Sequence, residues 1–162
     1  MAKKQLLDIV KYPDRVLKNT CNEYVEGFTG EWLKELAINM IHTMRSIRGV
    51  GLAAPQVGLP LRIAIALIDN VPVVLINPKL TGHPDERKVS IEESCLSCSD
   101  ESVRVPRYEW VRIDYDDLKG RRQWLQVDGM NAIIVQHELD HLDGKTIMDY
   151  KIDVQSPPDV VE

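Results

Sequence analysis

Residues 137–141 read His137-Glu138-Leu139-Asp140-His141. Two imidazoles four positions apart share one helix face, so both rings can reach a single cation. The carboxylate beside the first ring is near enough to take a proton from a water held by that cation. The chemistry this spacing predicts is metal-assisted hydrolysis. A lone His on an apolar helix face is ordinarily a core residue. Two at this spacing, with Glu138 after the first, point to a metal.

A catalytic site of this kind needs a third protein ligand and an open position. The short stretch after His141 has no further His at a metal-binding spacing, so the ligand must come from upstream. Cys95, within Glu92-Glu93-Ser94-Cys95-Leu96-Ser97-Cys98, is the candidate; coordination would hold it as thiolate. On the residues alone two other readings stay open, a buried structural thiol and a Cys-x-x-Cys redox pair with Cys98. Redox pairs usually open a helix after a βα unit, whereas acids and serines flank this segment. Cys98 and Cys21 read as spare buried thiols.

The other unusual stretch is Gly49-Val50-Gly51-Leu52-Ala53-Ala54-Pro55-Gln56-Val57-Gly58. Its lack of side-chain bulk lets a backbone or ligand approach closely; the plainer reading is a tight loop. Without a Gly-Lys-Ser/Thr ending it is no phosphate cradle. Gln56 is its one polar side chain, and the amide can donate to a developing negative oxygen.

These residues must be positioned by a few elements. From Asp128 to Gly144 the chain reads as a helix, with Asp128 as N-cap and Gly144 as stop. Met130, Ile133, Ile134, His137 and His141 fall on one stripe, so the imidazoles point towards the core. Residues 31–47 read as a second amphipathic helix, with Leu33, Leu36, Ala37, Met40, Ile41, Met44 and Ile47 on one face and His42 off it, at the surface. Leu6 to Val10 reads as a strand. Arg62 to Ile68 and Val71 to Ile76 form a hairpin about Asp69-Asn70, with Pro72 near a sheet edge. Trp110 to Tyr115 and Trp124 to Val127 form another, turning at Leu118-Lys119-Gly120 and leading into the His-bearing helix. Strands and helices are segregated, which predicts an α+β fold with antiparallel or mixed sheets around the C-terminal helix.

The 162 residues predict one catalytic domain over 1–150, followed by a loosely packed tail over 151–162 that carries Pro157-Pro158. Hydrophobic residues make up 44% and the formal net charge is −5, which argues against nucleic acid as the main ligand. No apolar run has the length of a membrane span, and no apolar segment follows the basic N-terminus, so no secretory signal is expected. Three cysteines cannot all pair internally; a reducing cytoplasm is expected.

Taken in order, three motifs resemble those of the peptide deformylase family: Gly49-x-Gly51-Leu52-Ala53-Ala54-x-Gln56, Glu93-x-Cys95-Leu96-Ser97 and Gln136-His137-Glu138-x-Asp140-His141. The similarity runs from about Ile9 to Tyr150. It implies removal of the formyl group from N-formyl-methionyl peptides, with release of formate. It implies Cys95, His137 and His141 as metal ligands, Fe(II) as the usual ion, and Glu138 as general base and acid. The Gln56 amide and the Leu96 N–H would flank the formyl oxygen. Nascent chains are the implied partners, with the ribosome as a further candidate, and a cytoplasmic monomer is expected. His₂Cys chemistry alone also suits Zn(II), Ni(II) or Co(II).

The methionine side chain needs an apolar slot, for which Ile133 and Ile134 are candidates beside the plainer reading of core packing, with Val50 closing one side. An extended peptide could pair with the Gly49–Gly51 backbone as an added strand. Where the family usually has Glu-Gly-Cys, this chain has Glu93-Ser94-Cys95; serine can make the same backbone contacts if φ is negative, and would be strained if the position demanded a left-handed backbone. Many relatives continue into a long helix after the position of Tyr150, and here only a short C-terminus follows. Two rival functions are a peptidase, which a thiolate ligand and a pocket for a chain end disfavour, and a binding module with a structural metal.

Overall fold

The computed structural model describes residues 3–25 and 30–151. The tail expected over 151–162 therefore lies, apart from Lys151, outside the described residues. The fold is α+β. Among the described residues two α-helices, α1 (Glu31–Ser46) and α2 (Gly129–Leu142), accompany seven strands. These are β1 (Gly51–Ala53), β2 (Ile63–Ile68), β3 (Val71–Gly82), β4 (Val89–Cys95), β5 (Cys98–Arg107), β6 (Trp110–Asp116) and β7 (Arg122–Asp128). Five form a sheet in the order β1-β2-β3-β6-β7, and β4 pairs with β5 alone. Every pairing between these strands is antiparallel.

Both expected hairpins form. Asp69 and Asn70 take positive φ, 49° and 64°, the backbone of a type I′ turn whose twist matches the strands it joins. Asn131 at the start of α2 holds that turn, accepting from Asp69 N–H at 3.1 Å and donating to its carboxylate at 2.8 Å. Pro72 lies on a strand that is internal to the sheet as a whole. It nevertheless pairs only with Leu67 of β2, because β6 joins β3 from Ile76 onwards. The missing N–H therefore costs no ladder bond.

Four expectations need correction here. Leu6 to Val10 is not a strand: Gln5 N–H and Leu7 N–H donate to Asn39 Oδ1 and Thr43 Oγ1 of α1, and Val10 N–H to the Gln56 carbonyl. The segment is β-rich, but its neighbours offer helix side chains rather than a strand backbone. The stretch 49–58 is not only a loop, since Gly51–Ala53 forms the edge strand β1. On α1, Ile47 is exposed at the C-cap and His42 is half-buried.

α2 is buried on most sides, between β1–β2 and β6–β7. Asp128 is its N-cap residue but makes no side-chain cap bond. Gly144 ends the helix region at φ 77°, and a Cβ there would come within 2.7 Å of the Lys18 carbonyl. Only glycine meets both conditions. Among the described residues no helix is long and apolar enough to cross a membrane.

Candidate active site and metal centre

β4 alternates, turning Glu93 and Cys95 inward while Glu92 and Ser94 face out. Leu96 and Ser97 make the two-residue turn to β5, and the N-terminal segment anchors it: Lys11 Nζ donates to the Leu96 carbonyl at 2.7 Å and Tyr12 N–H to the Ser97 carbonyl at 2.8 Å. The turn thus holds Cys95 against the middle of α2.

There the three expected ligands meet. Cys95 Sγ lies 3.4 Å from His141 Nε2, which lies 3.3 Å from His137 Nε2. All three donor atoms fall within 4.8 Å of one another. Metal–nitrogen bonds of about 2.0–2.1 Å at tetrahedral angles place donors roughly 3.4 Å apart, so the set fits a divalent ion. Among the described residues no fourth His, Cys, Asp or Glu joins the group.

The electrostatics favour ligation. His141 is fully buried, and burial, reinforced by the positive charges of His137 and Arg107, holds its pKa well below the ordinary value. It is therefore a neutral imidazole. Burial also pulls His137 down, but the hydrogen bond to Glu93 and the charges of Glu138 and Glu93 outweigh it and raise the pKa. Without a cation, the Cys98 contact and burial push the Cys95 thiol up; a divalent ion reverses that sign by binding thiolate.

Behind the ligands stands a buried ionic chain that the sequence did not disclose. Glu93 Oε1 accepts from His137 Nδ1 at 2.9 Å, which directs Nε2 to the ion. Arg107, 2% exposed, grips both Glu93 oxygens at 2.8 Å and reaches Asp140 Oδ2 at 2.6 Å. Tyr150 Oη donates to the same Asp140 oxygen at 2.8 Å. Breaking such a buried pair costs about 3–5 kcal/mol. Glu93 stood in a recognised motif without a role, and nothing in Val105-Pro106-Arg107 marks that guanidinium as internal.

Glu138 is 3% exposed, and burial raises its carboxyl to about 7. Among the described residues its Oε2 finds no hydrogen-bond partner, and neither does His141 Nδ1. Gly51 makes room for this carboxyl: a Cβ there would collide with Oε1 and come within 2.8 Å of Cδ. Gln56 is held by Ala53 N–H, which donates to its Oε1 at 2.9 Å. Its amide nitrogen donates to Ser97 Oγ at 3.2 Å and approaches Cys95 Sγ at 3.6 Å. Fixed this way, the amide sits beside the prospective ion.

A cleft of about 410 Å³ opens over these groups. Gly49, Val50 and Gly51 form one wall, and Ile91 to Leu96 the other. Met130, Ile133, Ile134, His137 and Glu138 of α2 form the floor. Met130 departs from the expected inward stripe: it is 60% exposed, in the first turn of α2 at the cleft's rim. Ser94 sits in β4 outside the left-handed region, so serine replaces glycine there without backbone strain.

The chain has close relatives. The family model described as polypeptide deformylase matches residues 6–156. A peptide deformylase of Endomicrobium trichonymphae is 42% identical over 147 residues, 89% of this chain and 85% of that protein. The crystal structure of the Thermotoga maritima peptide deformylase superposes with a TM-score of 0.86 at 34% identity, covering 92% of this chain and 99% of that one. The Met-Ala-Ser-bound class I type b peptide deformylase of Acinetobacter baumannii gives 0.86 at 31% identity, covering 92% and 100%. This chain belongs to the peptide deformylase family, metal-dependent hydrolases that remove the formyl group from the N-terminus of new polypeptides.

Proposed function

We propose that Cys95, His137 and His141 hold the working metal and that Glu138 moves the proton of the deformylation reaction. The convergence of the three donor atoms at tetrahedral spacing, with Glu138 unpartnered beside them, carries this reading. When bound, the ion supplies a Lewis acid and lowers the pKa of water from about 15.7 towards neutrality. Glu138, raised to about 7 by burial, accepts the water proton at attack and returns it to the leaving amine. The Gln56 amide and the Leu96 N–H donate to the formyl oxygen as charge develops on it; one such donor is worth about 10²–10³ in turnover.

The substrate's backbone adds as a strand to the Gly49–Gly51 backbone, which leads into the edge strand β1, and to Ser94 on the opposite wall. Its methionine enters the apolar slot at Ile133 and Ile134. Fe(II) as the working ion, and a cytoplasmic monomer acting on chains as they leave the ribosome, are supported by the family resemblance. The test is formate release from formyl-Met-Ala under anaerobic conditions, with Fe(II), Zn(II), Co(II) and Ni(II) forms compared. The account expects release only from the formylated peptide and the fastest turnover with Fe(II). No formate from formyl-Met-Ala, or cleavage of its Met-Ala bond in place of formate release, would refute the activity, and equal rates with Zn(II) would refute the choice of ion.

A further inference from the structure

Cys98 has no part in the deformylation chemistry, yet it is placed against a residue that does. It faces Cys95 as its cross-strand partner, on the far side of the Leu96-Ser97 turn. Four residues spanning a β-turn bring their end Cα atoms within about 7 Å, and a disulfide needs Cα atoms about 4.4–6.8 Å apart. Both belong to one buried cluster. Cys98 does not join Cys95, His137 and His141 in the donor group, so it is no fourth ligand. It is 4% exposed and lies among Val103, Val105 and Ile147, whereas Cys95 also lines the open cleft. One sulfur can thus be reached by a small oxidant from the cleft, and the other waits behind it.

We propose that Cys98 is a resolving thiol, forming a reversible disulfide with Cys95 under hydrogen peroxide and so coupling the metal centre to oxidant. This rests on Cys95 being a metal ligand. The Cys95 sulfur donates an electron pair to one peroxide oxygen. The O–O bond breaks, the departing hydroxide takes a proton as water, and Cys95 carries a sulfenic acid. The Cys98 sulfur then attacks the Cys95 sulfur. The S–S bond forms, the S–O bond breaks, and the oxygen leaves as a second water with the Cys98 proton. The Cys95 thiolate, the Cys98 thiol, one peroxide and one proton from solvent become a disulfide and two waters. A disulfide sulfur carries no thiolate charge, so two histidines alone remain for the ion and it is released. Without Cys98 the sulfenic acid has no neighbouring thiol and proceeds to the sulfinic and sulfonic acids, which dithiothreitol does not reverse.

The experiment treats the metal-loaded protein and the Cys98→Ser and Cys98→Val variants with peroxide. Intact mass, metal content and formate release are followed before and after dithiothreitol with fresh metal. The native protein is expected to lose two hydrogens in a Cys95–Cys98 crosslink, release its ion and recover nearly all activity. Both variants should bind metal and turn over normally before peroxide, then gain two or three oxygens on Cys95 and recover about tenfold less activity. The valine variant keeps an apolar side chain among Val103, Val105 and Ile147 should serine perturb the packing. Oxygen addition without crosslink in the native protein, or equal recovery in the variants, overturns the inference. Absence of metal from all three untreated proteins would instead overturn the assignment of Cys95.

Discussion

Gly51 is the position where one methyl group tests the catalytic geometry. A Cβ on Gly51 would overlap Oε1 of Glu138 and stand 2.8 Å from its Cδ and 2.9 Å from its Cγ. Ordinary carbon contacts are about 3.5–4.0 Å, so Gly51→Ala forces the carboxyl back by about 1 Å. A displacement of that size at a reacting group costs about 10² in rate, or about 2.7 kcal/mol of activation free energy. The metal ligands are untouched, so metal content should match the parent. The assay is kcat and KM for formate release from formyl-Met-Ala, repeated in a Glu138→Gln background at high enzyme concentration. The loss should fall on kcat, and Gly51→Ala should cost less than about threefold once Glu138 is already replaced. Parent-like kcat, or an equal loss in both backgrounds, would show that Gly51 does not act through Glu138.

Three further outcomes follow from the site. Arg107→Met leaves the buried Glu93 and the half-buried Asp140 without their cation and should destabilise the fold by about 3–5 kcal/mol, seen as a lower thermal midpoint. Co(II) affinity should also drop about 10–100-fold as His137 loses its fixed support; unchanged affinity would confine Arg107 to stability. Ser94→Gly should leave kcat/KM within about threefold and cost about 0.5–1 kcal/mol of stability, since serine is unstrained there and glycine adds chain entropy; a large gain in activity would mean that serine hinders substrate. Chelation should lower the thermal midpoint, because an ion at about a thousand times its Kd stabilises by about 4 kcal/mol; an unchanged midpoint would argue that the site is not loaded in the folded protein.

The histidine pair of the candidate centre was legible because helical spacing is local: His137 and His141 stand at i and i+4, and the backbone does the rest. The hairpins at Asp69-Asn70 and Leu118–Gly120 were legible for the same reason, turn chemistry being written in adjacent residues. The β4–β5 pair was not anticipated, because Val89 to Arg107 mixes charge and serine with apolar residues and its inward positions include Glu93 and Arg107. Those two are buried only because they satisfy each other across strands and against α2, a condition that no single segment displays. Leu6 to Val10 shows the converse error. Its composition favours a strand, but Asn39 and Thr43 of a distant helix claim its N–H groups. Met130 shared the spacing of the ligand stripe but lies in the first turn of α2, where the cleft opens and the core ends.

X-ray absorption on the Zn(II)-loaded protein tests the centre most directly, because it counts the sulfur donors. The account predicts one sulfur at about 2.3 Å and three lighter donors at about 2.0–2.1 Å, two from imidazole and one from solvent. Two sulfurs would place Cys98 on the ion and close the position that substrate needs. No sulfur would remove Cys95 from the centre and contradict the account.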